Sequence, residues 1–110
     1  RQGTPKCLLI KAGGVHRKIP VEDILYIENN GRKVVVHTKT EKLEYYERMN
    51  HLEDVLGEEF YRCHRGDLVA LRAISGYDNA SITVNTGEKI YLAKQKYAAF
   101  VKLYCRFLKE

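Results

Sequence analysis

The 110-residue chain contains no tryptophan, one methionine, two prolines and three cysteines. Each shortage excludes something. Cys7, Cys63 and Cys105 are odd in number, widely spaced and without a C-x-x-C pair, which fits neither a disulfide framework nor a zinc ribbon. They read as reduced thiols that pack as small apolar side chains. The scattered cysteines and histidines also lack the short paired spacings of structural zinc. No apolar run approaches the roughly 18 residues needed to cross a bilayer, and no charged-then-apolar signal pattern opens the chain. There is no glycine-rich phosphate loop and no pair of carboxylates placed for acid–base chemistry. The expectation is a soluble, cytoplasmic, single-domain protein that is not an enzyme and needs no cofactor or metal. Arg1 stands where a Met would begin a gene product, so the chain reads as a piece of something longer.

Acidic residues are absent from the first 21 positions, where five basic residues stand alone. Residues 22–59 reverse this, with five Lys/Arg against ten Asp/Glu, and residues 60–110 carry nine against four. Two basic ends around an acidic middle, with a net charge of +5, suit a folded domain with one positive face. Such a face is the footprint of a nucleic-acid binder, because neutralising phosphates supplies most non-specific affinity.

What is present is mostly strand. Residues 1–6, with breakers Gly3 and Pro5, read as a linker remnant, leaving 7–110 as the domain. Cys7 to Ile10 and Val15 to Ile19 flank Gly13-Gly14 as a hairpin. Ile24 to Glu28 and Lys33 to Thr38 flank an Asn-Asn-Gly turn, and Leu43 to Tyr46 forms another short strand. Met49, Leu52, Val55 and Leu56 make one apolar helical stripe ended by Gly57. Phe60 to Cys63, Leu68 to Leu71, Ile74 to Tyr77, Ser81 to Asn85 and Lys89 to Leu92 read as further strands. Lys94 to Leu108 is a final helix with Tyr97, Val101, Tyr104 and Leu108 as its core stripe. About eight or nine strands with two helices predict a mainly β fold of small antiparallel sheets.

Three clusters carry candidate chemistry. In Phe60-Tyr61-Arg62-Cys63-His64-Arg65-Gly66-Asp67, strand alternation keeps Cys63 and His64 on opposite faces, so they do not form a catalytic pair. The flanking arginines make Cys63 a candidate redox thiol, the sharper alternative to plain packing. His64 reads as a hydrogen-bonded structural residue. Arg65 projects where the strand breaks at Gly66, and arginine suits bidentate contact with guanine or phosphate. The second cluster is the hairpin tip Asn29-Asn30-Gly31-Arg32-Lys33, whose amides and cations suit base edges or simply a solvated turn. The third is Ala93-Lys94-Gln95-Lys96, where lysines at a helix start sit against the macrodipole, a misfit that a bound anion relieves.

Together these residues resemble the LytTR DNA-binding domain of LytR/AgrA-type bacterial response regulators. The resemblance runs over about residues 7 to 108. It is carried by Ile19-Pro20-Val21-Glu22-Asp23-Ile24-Leu25-Tyr26-Ile27-Glu28, by Phe60-Tyr61-Arg62-Cys63-His64-Arg65 as an F-x-R-x-H signature, and by Gly87 to Lys96. The chain departs from the family at Gly66, Asp67, Ala70 and Ala93, and Asp67 is expected to pair with Arg65 or Arg72. The resemblance implies an elongated β sandwich and double-stranded DNA contacts made by loops in successive major grooves. Carried over by position, those contacts fall on Asn30, Arg32 and Lys33, on Arg65, and on Lys94, Gln95 and Lys96. It also implies promoter repeats bound as a homodimer, a receiver domain elsewhere in the full chain, and a sensor histidine kinase upstream. The alternative from the residues alone is a protein-interaction module using exposed tyrosines among Tyr45, Tyr46, Tyr61, Tyr77 and Tyr91.

Overall fold

A computed structural model describes residues 3–110, and ten strands and two α-helices follow one another along the chain. The strands are β1 (Cys7–Ala12), β2 (Val15–Pro20), β3 (Ile24–Asn30), β4 (Lys33–Thr38), β5 (Lys42–Tyr46), β6 (Phe60–His64), β7 (Asp67–Ala70), β8 (Ile74–Tyr77), β9 (Ser81–Val84) and β10 (Lys89–Tyr91). Helix α1 spans Met49–Leu56, and α2 spans Tyr97–Lys109 directly after a 3-10 turn over Lys94–Lys96. Each of the ten segments that read as extended forms a strand, one or two more than the rounded total of eight or nine.

All pairings are antiparallel, in three sheets: β1-β2, β10-β9-β8, and a five-stranded sheet ordered β5-β4-β3-β7-β6. The β1–β2 hairpin closes over Gly13 and Gly14, whose φ angles of 61° and 77° suit the two positive-φ positions of a type I′ turn. One non-local step, β3 against β7, joins the first half of the chain to the second.

The sheets share one apolar core, with Ile10, Ile24, Ile27, Leu68, Ile82 and Leu92 fully buried. Helix α1 adds Met49, Leu52 and Leu56, and ends at Gly57 as its stripe predicts. Val55 of that stripe stays at the surface. In α2 three of the four expected stripe residues, Tyr97, Val101 and Tyr104, pack against the core. Phe100 is fully buried, flanked by half-buried Tyr97, Val101, Leu103, Tyr104 and Phe107, whereas Leu108 is exposed. The aromatic rings explain this: Phe100 packs against Tyr61, Tyr77 and Tyr104 with centroids at 5.3, 5.2 and 5.6 Å. An aromatic anchor outweighs a leucine one step round the helix.

Of the segment read as a linker, residues 1 and 2 lie outside the described residues. Thr4 Oγ1 donates to the Leu56 carbonyl at 2.8 Å, and Lys6 O accepts from the Val21 N–H at 2.8 Å. Among the described residues, no helix is long and apolar enough to cross a membrane.

Candidate nucleic-acid interface

The five-stranded sheet and the segment after β10 bring the three candidate clusters to one place. Asn30 pairs with Lys33, so the β3–β4 tip is the two-residue turn Gly31-Arg32, with Gly31 at φ 66°. Glycine at the first central position is the type II′ pattern. His64 pairs with Asp67, so the β6–β7 turn is Arg65-Gly66. This turn lies beside the first tip because β7 neighbours β3 and the Asn29 N–H donates to the Gly66 carbonyl at 2.8 Å. On the other side of β6, the Ala93 N–H donates to the Cys63 carbonyl at 3.0 Å, and Lys96 Nζ donates to the Arg62 carbonyl at 2.6 Å. The basic 3-10 turn therefore runs alongside the Arg65 turn. Tip, turn and basic segment stand in a row.

Their side chains differ in freedom. Among the described residues, the side chains of Arg32, Arg65, Lys94 and Gln95 are exposed and make no hydrogen bond or ion pair. Lys33 lies over the Tyr46 ring, 4.9 Å from its centroid. Asn30 Nδ2 donates to Glu44 Oε2 at 2.6 Å, so a carboxylate stands behind the tip. Lys96 is half-buried, its ammonium held by Arg62 O and lying 5.9 Å from the centroid of the Tyr61 ring. The charge misfit at the start of α2 is thus partly met inside the protein, by a backbone carbonyl.

His64 is a structural residue, as its strand setting suggests. Its Nδ1 accepts the Gly66 N–H at 3.2 Å, and its ring meets Tyr91 edge-on at 5.0 Å. Asp67 does not pair with Arg65 or Arg72. It faces His64, with Oδ2 3.7 Å from Nδ1, while Arg72 reaches the Val21 carbonyl and Glu59. The β6–β7 register explains the difference, because it puts Asp67 directly across from His64. Burial raises the Asp67 carboxyl above its ordinary value, partly opposed by His64.

Cys63 is corrected outright. A register shift in β6 between Tyr61 and His64 leaves it fully buried, with Sγ 3.9 Å from the Asp67 carbonyl. Burial, reinforced by the Asp67 charge, pushes the thiol up to about 12, and the weaker pull of Lys96 and Arg62 does not reverse this. A redox thiol needs a lowered pKa and access, and Cys63 has neither. The tyrosines are also dispersed. Tyr45 is buried, Tyr61 and Tyr77 pack on Phe100, and Tyr46 and Tyr91 are the more exposed members.

The residue that sequence reasoning left without a role is Arg62. Its Nε donates to the Arg65 carbonyl at 2.9 Å, Nη2 reaches the same oxygen, and Nη1 donates to Asn50 Oδ1 and Glu53 Oε1, both at 2.9 Å. The F-x-R-x-H spacing was the signal. Its partners on α1 were not legible from it.

A small mainly β scaffold that presents cations without partners among the described residues from adjacent turns suits a polyanion such as a nucleic acid. The family profile of the LytTr DNA-binding domain matches residues 15–104, and the chain belongs to this family: it is a DNA-binding domain. It is 29% identical over 104 residues to the transcriptional regulatory protein NatR of Bacillus subtilis (strain 168), covering 88% of this chain. The chain spans 45% of that relative's length. Its fold is similar to the LytTr DNA-binding domain of a protein described as a methyl-accepting/DNA response regulator from Bacillus cereus. The TM-score is 0.76 at 18% identity, covering 92% of this chain and 97% of the other.

Proposed function

We propose that this domain binds double-stranded DNA sequence-specifically as the effector part of a two-component transcriptional regulator. The observation that carries the reading is the row of two hairpin turns and a basic 3-10 turn, held side by side by the Asn29–Gly66 and Ala93–Cys63 backbone bonds. Turns spaced along one sheet end suit insertion into successive major grooves. Lys94 and Lys96, with Lys33, position the domain on phosphates, while Arg65, Arg32, Asn30 and Gln95 face base edges.

The relative's printed role in transcriptional regulation, and its greater length, support a further domain in the full protein. In this reading residues 1–6 join a receiver domain to the binding unit at 7–110. A sensor histidine kinase phosphorylates that receiver, and the cytoplasmic protein binds paired promoter repeats as a homodimer.

Selection of duplexes from a random pool, followed by binding of Arg65→Ala, tests the proposal. Among the described residues the Arg65 side chain has no partner, so its removal leaves folding intact and costs about 1–3 kcal/mol on the selected site, relaxing specificity at one position. Recovery of no common sequence, or an unchanged base preference in Arg65→Ala, refutes it.

A further inference from the structure

The geometry points to Arg62 as the positioning residue for sequence readout: it presets the Arg65 turn by tying that turn's carbonyl to helix α1, and it acts on DNA only through Arg65. This rests on the proposed role of Arg65.

Two independent features of β6 lead there. The first is that the Arg65-Gly66 turn lacks its own geometric lock. Two-residue hairpin turns normally use positive φ, as Gly13, Gly14 and Gly31 do, yet neither Arg65 nor Gly66 adopts it. Two side chains and one backbone amide hold this turn instead. His64 takes the Gly66 N–H, the Asn29 N–H takes the Gly66 carbonyl, and Arg62 takes the Arg65 carbonyl with two donors. The second is the register shift between Tyr61 and His64. A bulge re-aims side chains, and the bulged segment contains Arg62, whose fork curls over its own turn.

The other end of the fork is anchored. Nη1 lies on Asn50 and Glu53 of α1, and Lys96 Nζ seats on the Arg62 backbone carbonyl. One side chain, 15% exposed, thus links α1 to the reading turn, while the same residue's backbone carbonyl receives the basic 3-10 turn. Every nitrogen of its guanidinium faces a protein acceptor and four of its five N–H groups are engaged, so the bidentate fork is turned to the protein and not to a phosphate. Only a planar fork spans acceptors on both sides, and a lysine at this position has a single ammonium to place. A turn held before binding does not lose conformational freedom on binding, and base contacts need that fixed aim.

The experiment compares wild type with Arg62→Lys. In the DNA-free domain, 15N relaxation reads the Arg65 and Gly66 amides. Order parameters near 0.85 in wild type are expected to fall below about 0.6 in the variant, with the rest of the sheet unchanged. On DNA, the ratio of affinities for selected and random duplex is expected to fall about tenfold, while the salt dependence stays that of wild type. Combining Arg62→Lys with Arg65→Ala should then cost no discrimination beyond Arg65→Ala alone, since coupled residues are not additive. A rigid turn with undiminished discrimination overturns the proposal. So does an additive double variant, or a reduced salt slope, which would mark Arg62 as a phosphate contact. If Arg62→Lys does not fold, Asn50→Ala combined with Glu53→Gln frees the far end of the fork, and the same loosening of the turn is expected. If wild type itself selects no sequence, the role of Arg65 falls. The relaxation data then decide the holding of the turn separately.

Discussion

Raising salt from 50 to 200 mM in a polarisation titration on a fixed duplex gives a number that the interface sets in advance. Lys33, Lys94 and Lys96 are the phosphate-facing cations placed along the three turns, with Arg32 and Arg65 reserved for bases. Three phosphate contacts give a slope of log affinity against log salt of about −2.7, hence a fall of about 40-fold over that fourfold change. Lys94 is the cleanest one to remove, because among the described residues its side chain has no partner. Lys94→Ala should therefore leave stability within about 0.5 kcal/mol. It should also bring the slope to about −1.8, so that the same salt step weakens binding only about 12-fold. The loss should be equal on selected and random duplexes, because a phosphate carries no sequence. A wild-type fall under about fivefold, or a slope unaltered by Lys94→Ala, would refute this assignment of the face.

Two further outcomes follow from the core. Phe100→Ala removes a fully buried ring packed on three tyrosines and should cost about 3–5 kcal/mol in urea denaturation. Leu108→Ala on the same helix should cost no more than about 0.5 kcal/mol; equal costs would mean that α2 faces the other way. Iodoacetamide at about pH 8 should label exposed Cys105 while Cys63 reacts only on unfolding. The buried Cys63 thiol, pushed up to about 12, favours the folded state below its ordinary pKa, and that contribution is lost as pH rises through its folded value. Cys63→Ala should accordingly lose less stability than wild type between roughly pH 9 and pH 11, measured by the same denaturation.

Local patterns reached far into this fold because most of its pairings are between neighbouring strands. Gly13-Gly14 and the turn at Gly31 could be placed from turn chemistry, and α1 from three buried residues and a terminal glycine. The non-local β3–β7 pairing could not, since nothing in either strand names its partner. It is that pairing which sets the Arg65 turn beside the Gly31-Arg32 tip. The α2 spacing marks Tyr97, Val101 and Tyr104, which pack on the core, but not fully buried Phe100, because spacing alone does not say which side chain meets three tyrosines. For the candidate site, residue types at turn positions were readable, but their internal obligations were not. Asn30 is engaged by Glu44, Lys96 by a carbonyl 34 positions away, and Cys63 is enclosed rather than activated.

Both hairpin tips at the interface are two residues long, closed by the pairs Asn30–Lys33 and His64–Asp67. Adding a single residue to such a tip slips the register, and a slip by one turns every side chain of a strand to the opposite face. Strands β3 and β7 keep Ile27 and Leu68 in the core, so that route is closed to them. On this scaffold a change of base preference therefore runs through the side chains at positions 30, 32 and 65, with both tips kept at two residues. The scaffold behaves as a fixed frame with replaceable type, in which a new recognition preference is a point substitution away and a longer reach is not.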